Sequence, residues 1–173
     1  MDRLVPDIYA KSLYTIDYEK LKDSGIKCIL FDLDNTIAPV NISSPSKDMK
    51  KLVNELENMG FKLLILSNSP KNRVRPFKEQ LNIDSAHSAG KPFSKKYKKI
   101  MKVYNFKDTE MAAVGDQLLT DILGANLAGI TSILVNPISD TEYVWTKFNR
   151  FFEKFIYKKF EKREILKKGK YYD

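Results

Sequence analysis

Hydrophobic residues in this chain gather in short unbroken runs separated by stretches of helical period. The first run, Ile26-Lys27-Cys28-Ile29-Leu30-Phe31, has its one charge near the start. Similar runs occupy residues 61–66, 111–114 and 131–135. Runs this short, rich in β-branched and aromatic residues and bounded by turn signals, read as strands buried on both faces. Between them, Met49, Leu52, Val53 and Leu56 have the i, i+3, i+4, i+7 spacing of a helix over 47–59. Ser46 or Ser44 opens that helix and Gly60 ends it. Residues 71–81 read as a helix with a basic start, 93–104 as a basic helix and 120–128 as a helix of small residues. A short helix over 17–24 has Asp17 as its N-cap and Gly25 just past its end. Another short strand fits near Asp84-Ser85-Ala86-His87, and residues 1–16 show no clear period. Strands alternating with helices predict a parallel sheet covered on both faces, a three-layer Rossmann-like α/β domain. Residues 1–140 form its core with the N-terminal arm, and residues 141–173 a separate tail.

The strand ends carry the chemistry. Asp32, Ser67 and Asp116 each follow a buried run, and Lys91 lies in the loop Gly90-Lys91-Pro92. In an open α/β sheet the carboxyl ends of the strands are where ligands bind. Carboxylates with one lysine at such an edge suit phosphoryl transfer. A carboxylate can attack phosphorus, a second can move the proton, and a lysine can neutralise the transferring group. Mg²⁺ needs only one or two carboxylates plus a substrate phosphate. Two plainer readings of Asp32 and Asp34 exist. One is an ordinary turn after a strand. The other is a calcium loop, but Ile37 and Ser43 stand where an EF-hand wants Gly and Glu.

Four segments together resemble a known family. Phe31-Asp32-Leu33-Asp34-Asn35-Thr36, Leu66-Ser67-Asn68, Gly90-Lys91-Pro92 and Gly115-Asp116-Gln117-Leu118-Leu119-Thr120-Asp121 resemble, in order, the four motifs of the haloacid dehalogenase (HAD) superfamily. The resemblance implies a capless HAD-like fold: the interval 37–46 is too short for a cap, and 69–90 is filled by one helix and its connection. It implies Asp32 as nucleophile and Mg²⁺ ligand, and Asp34 as general acid/base with its main-chain carbonyl on the metal. It further implies Ser67 and Asn68 as substrate-binding residues and Lys91 as the group holding nucleophile and phosphate. Asp116 would be a direct metal ligand, with Thr36 and Asp121 in support and Asp121 in the outer sphere. Gln117 departs from the acid or small residue of many relatives. More narrowly, Leu4-Val5-Pro6-Asp7, residues 31–39, Ala89-Gly90-Lys91-Pro92 and residues 114–137 resemble subfamily IIIA phosphatases, and within them the bacterial relatives of mitochondrial phosphatidylglycerophosphatase. That implies removal of the terminal phosphate from phosphatidylglycerol phosphate at an open site.

Charge adds a partner class. The net charge is +8, and residues 141–173 hold ten Lys/Arg against five Asp/Glu. In that tail Val144, Phe148, Phe151, Phe152, Phe155 and Ile156 share one helical face, with Lys147, Arg150, Lys154 and Lys158 near the other. Such a helix either packs its stripe on its own domain or a second subunit, or lies on an anionic membrane surface. Beyond Phe160 the stripe fades, which predicts a frayed or separately bound end. The lone Cys28 lies in a core strand and fits a reducing, cytosolic compartment, and the chain carries no strong nucleic-acid signal. The readings that compete with a lipid phosphatase are a phosphatase for a soluble or nucleic-acid phosphate, and a basic adaptor for RNA or ribosomes.

Overall fold

A computed structural model describes residues 2–173. The elements are β1 (Ile8–Ala10), α1 (Tyr18–Asp23), β2 (Cys28–Phe31), α2 (Lys47–Asn58), β3 (Lys62–Leu66), α3 (Lys71–Leu81), β4 (Asp84–Ala86), α4 (Lys95–Tyr104), β5 (Met111–Gly115), α5 (Leu123–Ala128), β6 (Thr131–Val135) and α6 (Val144–Lys162). Six parallel strands lie in the order β1-β6-β5-β2-β3-β4. From β2 the chain winds outward through β3 and β4, then returns to the other side of β2 for β5 and β6. The reversal leaves a crevice between the carboxyl ends of β2 and β5.

The two-residue period of the strands divides the core. Ile29 and Phe31 of β2 join Leu63, Ile65, Ala112, Val114 and Ile133 on one face, beneath α1, α2 and α3. Cys28 and Leu30 join Leu64, Leu66, Met111 and Ala113 on the other, with Tyr97 and Ile100 of α4 and Ala125 and Ala128 of α5. The helix starts read from sequence are present: Asp17 Oδ1 accepts from the Lys20 amide (3.0 Å) and Ser46 Oγ from the Met49 amide (3.0 Å).

Three segments depart from the sequence reading. The N-terminal arm contributes the edge strand β1, whose three residues are too few to show a period and whose register with β6 comes from long-range pairing. The expected helix over 120–128 begins earlier as a π turn, Leu118–Ile122, and continues as α5. The end of the chain is not frayed: Phe160 and Leu166 are buried with Tyr9, Leu118, Ile122 and Leu134, and Tyr172 pairs with Tyr9 across the free edge of β1. The tail is thereby part of the core packing.

Cys28 tests the sheet centre. It is fully buried, and burial pushes its thiol up to about 12. Native protein should not react with a thiol-disulfide reagent, and denatured protein should release one equivalent of chromophore. Reaction of the native protein at the rate of a free thiol would place β2 elsewhere.

Candidate active site

β2 ends in Phe31, and the next residue, Asp32, is buried at the crevice with its amide donating to the Val114 carbonyl (2.9 Å). Leu33 turns into the core and Asp34 comes back to the Asp32 side, as a two-residue spacing requires. β3 delivers Ser67, and β5 ends at Gly115 before Asp116. A Cβ on Gly115 would overlap the Asp121 carboxyl, so only glycine lets the π turn bring Asp121 against the strand end.

Lys91 binds these pieces together. Its ammonium donates to Asp32 Oδ1 (2.7 Å) and to Asp121 Oδ1 (2.5 Å), all three groups being buried. Asp121 Oδ2 accepts from the Gln117 amide (3.1 Å), so Asp121 is spent on orienting Lys91 and its own turn. The Asn68 carboxamide clasps the Lys91 main chain, accepting from its amide (2.8 Å) and donating to its carbonyl (3.1 Å). Ser67 Oγ accepts from the Ser69 amide (3.0 Å), and the Thr36 hydroxyl donates to Asp116 Oδ1 (3.3 Å). Asp34 is held on both oxygens, by the Ser69 hydroxyl (2.5 Å) and by Arg73 Nε (3.0 Å). All eight residues picked out in sequence converge on this edge.

Two functional residues escaped the sequence reading. Arg73 of α3 donates to Asp34 and to the carbonyls of Pro39 and Ile42, tying the 39–42 loop to the acid. Its only sequence signal was a basic helix start. Arg150, read in sequence only as part of the basic face opposite the aromatic stripe, is turned inward. Its guanidinium donates to the Asp116 carboxylate and main-chain carbonyl (the latter 2.7 Å), to Glu153 (2.9 Å) and to Glu142 (2.7 Å). Buried Glu153 also accepts from the Leu119 amide (3.0 Å). The correction has a clear cause: helical spacing shows which residues share a face, not which face meets the domain.

The electrostatics follow from burial. Asp32, Asp116, Asp121 and Glu153 are four buried carboxylates facing two cations, Lys91 and Arg150. Burial, only partly offset by Lys91, raises the Asp32 carboxyl to about 7. Burial raises Asp116 in the same direction against the pull of Arg150. Burial works to lower the Lys91 ammonium, but Asp121 and Asp32 outweigh it and keep it protonated. The cluster is short of positive charge, and oxygen atoms of Asp32, Asp116 and Asp121 lie within 4.8 Å of one another. An all-oxygen set with a negative surplus fits a hard divalent cation. Asp121 has both oxygens engaged, by Lys91 and by the Gln117 amide, whereas Lys91 takes only Oδ1 of Asp32; Asp32, together with Asp116, which shares its carboxylate with Thr36 and Arg150, would hold the ion.

Around these groups is a pocket of about 550 Å³, lined by Asp32, Asp34, Ser67, Asn68, Arg73, Lys91 and Gln117 and, from the start of α6, by Tyr143, Trp145, Thr146 and Asn149. Among the described residues no cap module covers the pocket; the first turns of α6 form the outer wall.

A buried carboxylate, a second acid and a lysine meet at the switch point of a parallel sheet, an arrangement that suits an enzyme of the phosphoryl-transfer class. The comparisons agree with that class. Residues 41–129 match the haloacid dehalogenase-like hydrolase model, and the chain belongs to this family. It is 35% identical over 152 residues to the Bacillus subtilis protein named "Probable phosphatase YqeG", covering 88% of each chain. It is 27% identical over 153 residues to phosphatidylglycerophosphate phosphatase 1, chloroplastic/mitochondrial, of Arabidopsis thaliana, spanning 80% of this chain but only 42% of that protein. Its fold matches the cobalt-bound deoxy-D-mannose-octulosonate 8-phosphate phosphatase of Haemophilus influenzae with a TM-score of 0.56 at 16% identity, over 67% of this chain and 70% of the other.

The Arg150 network is directly testable. Arg150→Ala strands Asp116, Glu153 and Glu142 together without their shared cation, and should cost about 3–5 kcal/mol of unfolding free energy in a urea titration. A loss below about 1 kcal/mol, the scale of an exposed pair, would mean that α6 does not lock onto Asp116.

Proposed function

We propose that the protein is a Mg²⁺-dependent phosphomonoester hydrolase that works through an aspartyl-phosphate on Asp32 and removes the terminal phosphate of phosphatidylglycerol phosphate to give phosphatidylglycerol. The observation that carries the reaction is the placement of Asp32. Its carboxylate sits at the pocket floor with one oxygen on Lys91, beside Asp116 and two residues before an acid that also faces the pocket.

In the first half-reaction an Asp32 oxygen attacks phosphorus and the bond to the leaving oxygen breaks. Asp34 delivers a proton to that oxygen, and Ser69 and Arg73 hold Asp34 in line for it. In the second half, Asp34 takes a proton from water as the water attacks the phosphoryl group, releasing inorganic phosphate and restoring Asp32. Lys91 stays protonated and compensates the charge on the transferring group, and the Ser67 hydroxyl faces the same oxygens. Asn68 acts one step back, by fixing the Lys91 main chain. Asp32, Asp116 and the Asp34 main-chain carbonyl would hold a divalent ion, which would supply charge neutralisation for the phosphoryl oxygens.

Two features support a lipid substrate. The pocket opens without a cap, and its outer wall presents Tyr143 and Trp145 to whatever follows the phosphate. The plant relative named above is a phosphatidylglycerophosphate phosphatase. On this reading the enzyme works in the cytoplasm at a membrane surface; no helix among the described residues is long and apolar enough to cross a bilayer.

Asp32→Asn should lower Mg²⁺-dependent kcat by roughly 10³-fold or more. Undiminished turnover in a clean preparation removes the covalent mechanism. With Asp32→Asn as the blank, a panel of lipid, sugar, nucleotide and nucleic-acid phosphates should give the highest kcat/KM for phosphatidylglycerol phosphate. A soluble phosphate ahead by about tenfold removes the lipid assignment.

A further inference from the structure

Helix α6 is amphipathic with its faces reversed. The side turned to the domain carries Thr146, Asn149, Arg150, Glu153 and Tyr157, with the half-buried Ile156 and the buried Phe160 packing on the core only in its C-terminal half. The side turned to solvent carries the aromatic stripe. Val144 and Trp145 are 80% and 83% exposed, and Phe148, Phe151, Phe152 and Phe155 between 44% and 61%. Of the alternatives read from sequence, packing on its own domain holds only for Ile156, which lies against the cluster of Tyr9, Leu134 and Phe160; the other five residues of the stripe face solvent, because the domain side of α6 is taken by the Arg150 network. The four phenylalanines are joined edge to face, with centroids 4.9–5.6 Å apart, into one continuous surface.

That surface has a charge border and a fixed position. Lys147, Lys154 and Lys158 recur along one side of the stripe, and Lys159 and Lys162 close its C-terminal end. All five are exposed, whereas the acids of α6 are Glu161 and the buried, paired Glu153. Trp145, at the head of the stripe, also lines the catalytic pocket. Ile42, Phe93 and Ile138, in the loops that follow β2, β4 and β6, are exposed at the same carboxyl edge of the sheet.

We propose that this face docks the protein on an anionic bilayer, with the aromatic stripe at the boundary of head groups and acyl chains and the lysines among the head groups. An aromatic face with a basic border is what an interfacial helix presents, and a tryptophan at its head suits the interface. A second copy of the chain is the wrong occupant, since stripe-to-stripe packing would bring two lysine borders together. The catalytic mouth then opens beside the bilayer, and a lipid phosphate reaches Asp32 without leaving it. The inference rests on the lipid reading for what enters the pocket, while the docking itself stands on the surface alone.

Trp145 is the only tryptophan, so its emission reports the stripe without any substitution. With vesicles of phosphatidylcholine plus phosphatidylglycerol, the emission should shift to the blue and be quenched by brominated acyl chains. Vesicles of phosphatidylcholine alone should do neither. The triple variant Lys147→Gln, Lys154→Gln, Lys158→Gln should bind the anionic vesicles about 100-fold more weakly. Phe148→Ser, Phe151→Ser, Phe155→Ser should abolish the quenching, and both variants should keep wild-type turnover of a small soluble phosphomonoester. Unchanged emission with the protein left in the supernatant overturns the proposal. So does a dimer in sedimentation velocity that the Phe triple variant dissolves. Vesicle binding without hydrolysis of phosphatidylglycerol phosphate upholds the docking and removes the substrate reading. Hydrolysis of that lipid in micelles without vesicle binding does the reverse.

Discussion

Lys91 holds one ammonium between the carboxylates of Asp32 and Asp121, in a place nearly closed to water. Charges so buried are tolerated only when their partners are fixed in good geometry, and much of the carboxyl edge is arranged to fix them. Asn68 grips the Lys91 main chain from the end of β3, and Gly115 gives up a side chain so that Asp121 can approach. The π turn over Leu118–Ile122 brings the Asp121 carboxylate back to the Gln117 amide. A parallel sheet covered on both faces has few places where such a cluster can meet a ligand, and the crevice between β2 and β5 is the one its winding provides.

A second cation repeats the device from outside the core motifs. Arg150 reaches in from α6 to Asp116, Glu142 and Glu153, and Phe160 two turns or more further along is buried against Tyr9 and Leu134. The helix is therefore fastened at both ends of its inner face, by charge near the catalytic edge and by packing at the far end. This fastening lets α6 wall a pocket that has no cap. It shields the floor from bulk water on one side while leaving the mouth open.

Legibility in the sequence tracks the range of the interaction. Asp32, Asp34, Ser67, Lys91 and Asp116 were readable because each sits at a strand end or in a loop with its own local pattern, while Asn68, Thr36 and Asp121 entered only through the resemblance of the four motifs to a family. The buried runs were readable for the same reason, since a strand covered on both faces is apolar throughout. β1 was not: three residues show no period, and its place depends on β6 and on Tyr172 at the other end of the chain. Arg73 and Arg150 were not, because each meets its carboxylate across more than thirty residues, at a sequence separation of 39 for Arg73 with Asp34 and 34 for Arg150 with Asp116. Nothing local separates them from the other basic residues on their helices.

The orientation of α6 marks where pattern reasoning stops and why. A helical wheel yields a stripe and its opposite, and the usual rule sends the stripe inward because burying apolar area is favourable. That rule presumes an apolar surface to receive it. Here the surface beneath the start of α6 is the carboxyl edge of the sheet, rich in buried carboxylates, and an inward aromatic stripe would leave Asp116 without the cation it now has. Arg150 with Glu153 makes the polar face the better match, so the aromatic rings are left outside. The buried charge of the site thus determines the outer surface of the protein: the same deficit of positive charge that draws Arg150 inward turns Trp145 and the phenylalanines toward solvent at the mouth of the site.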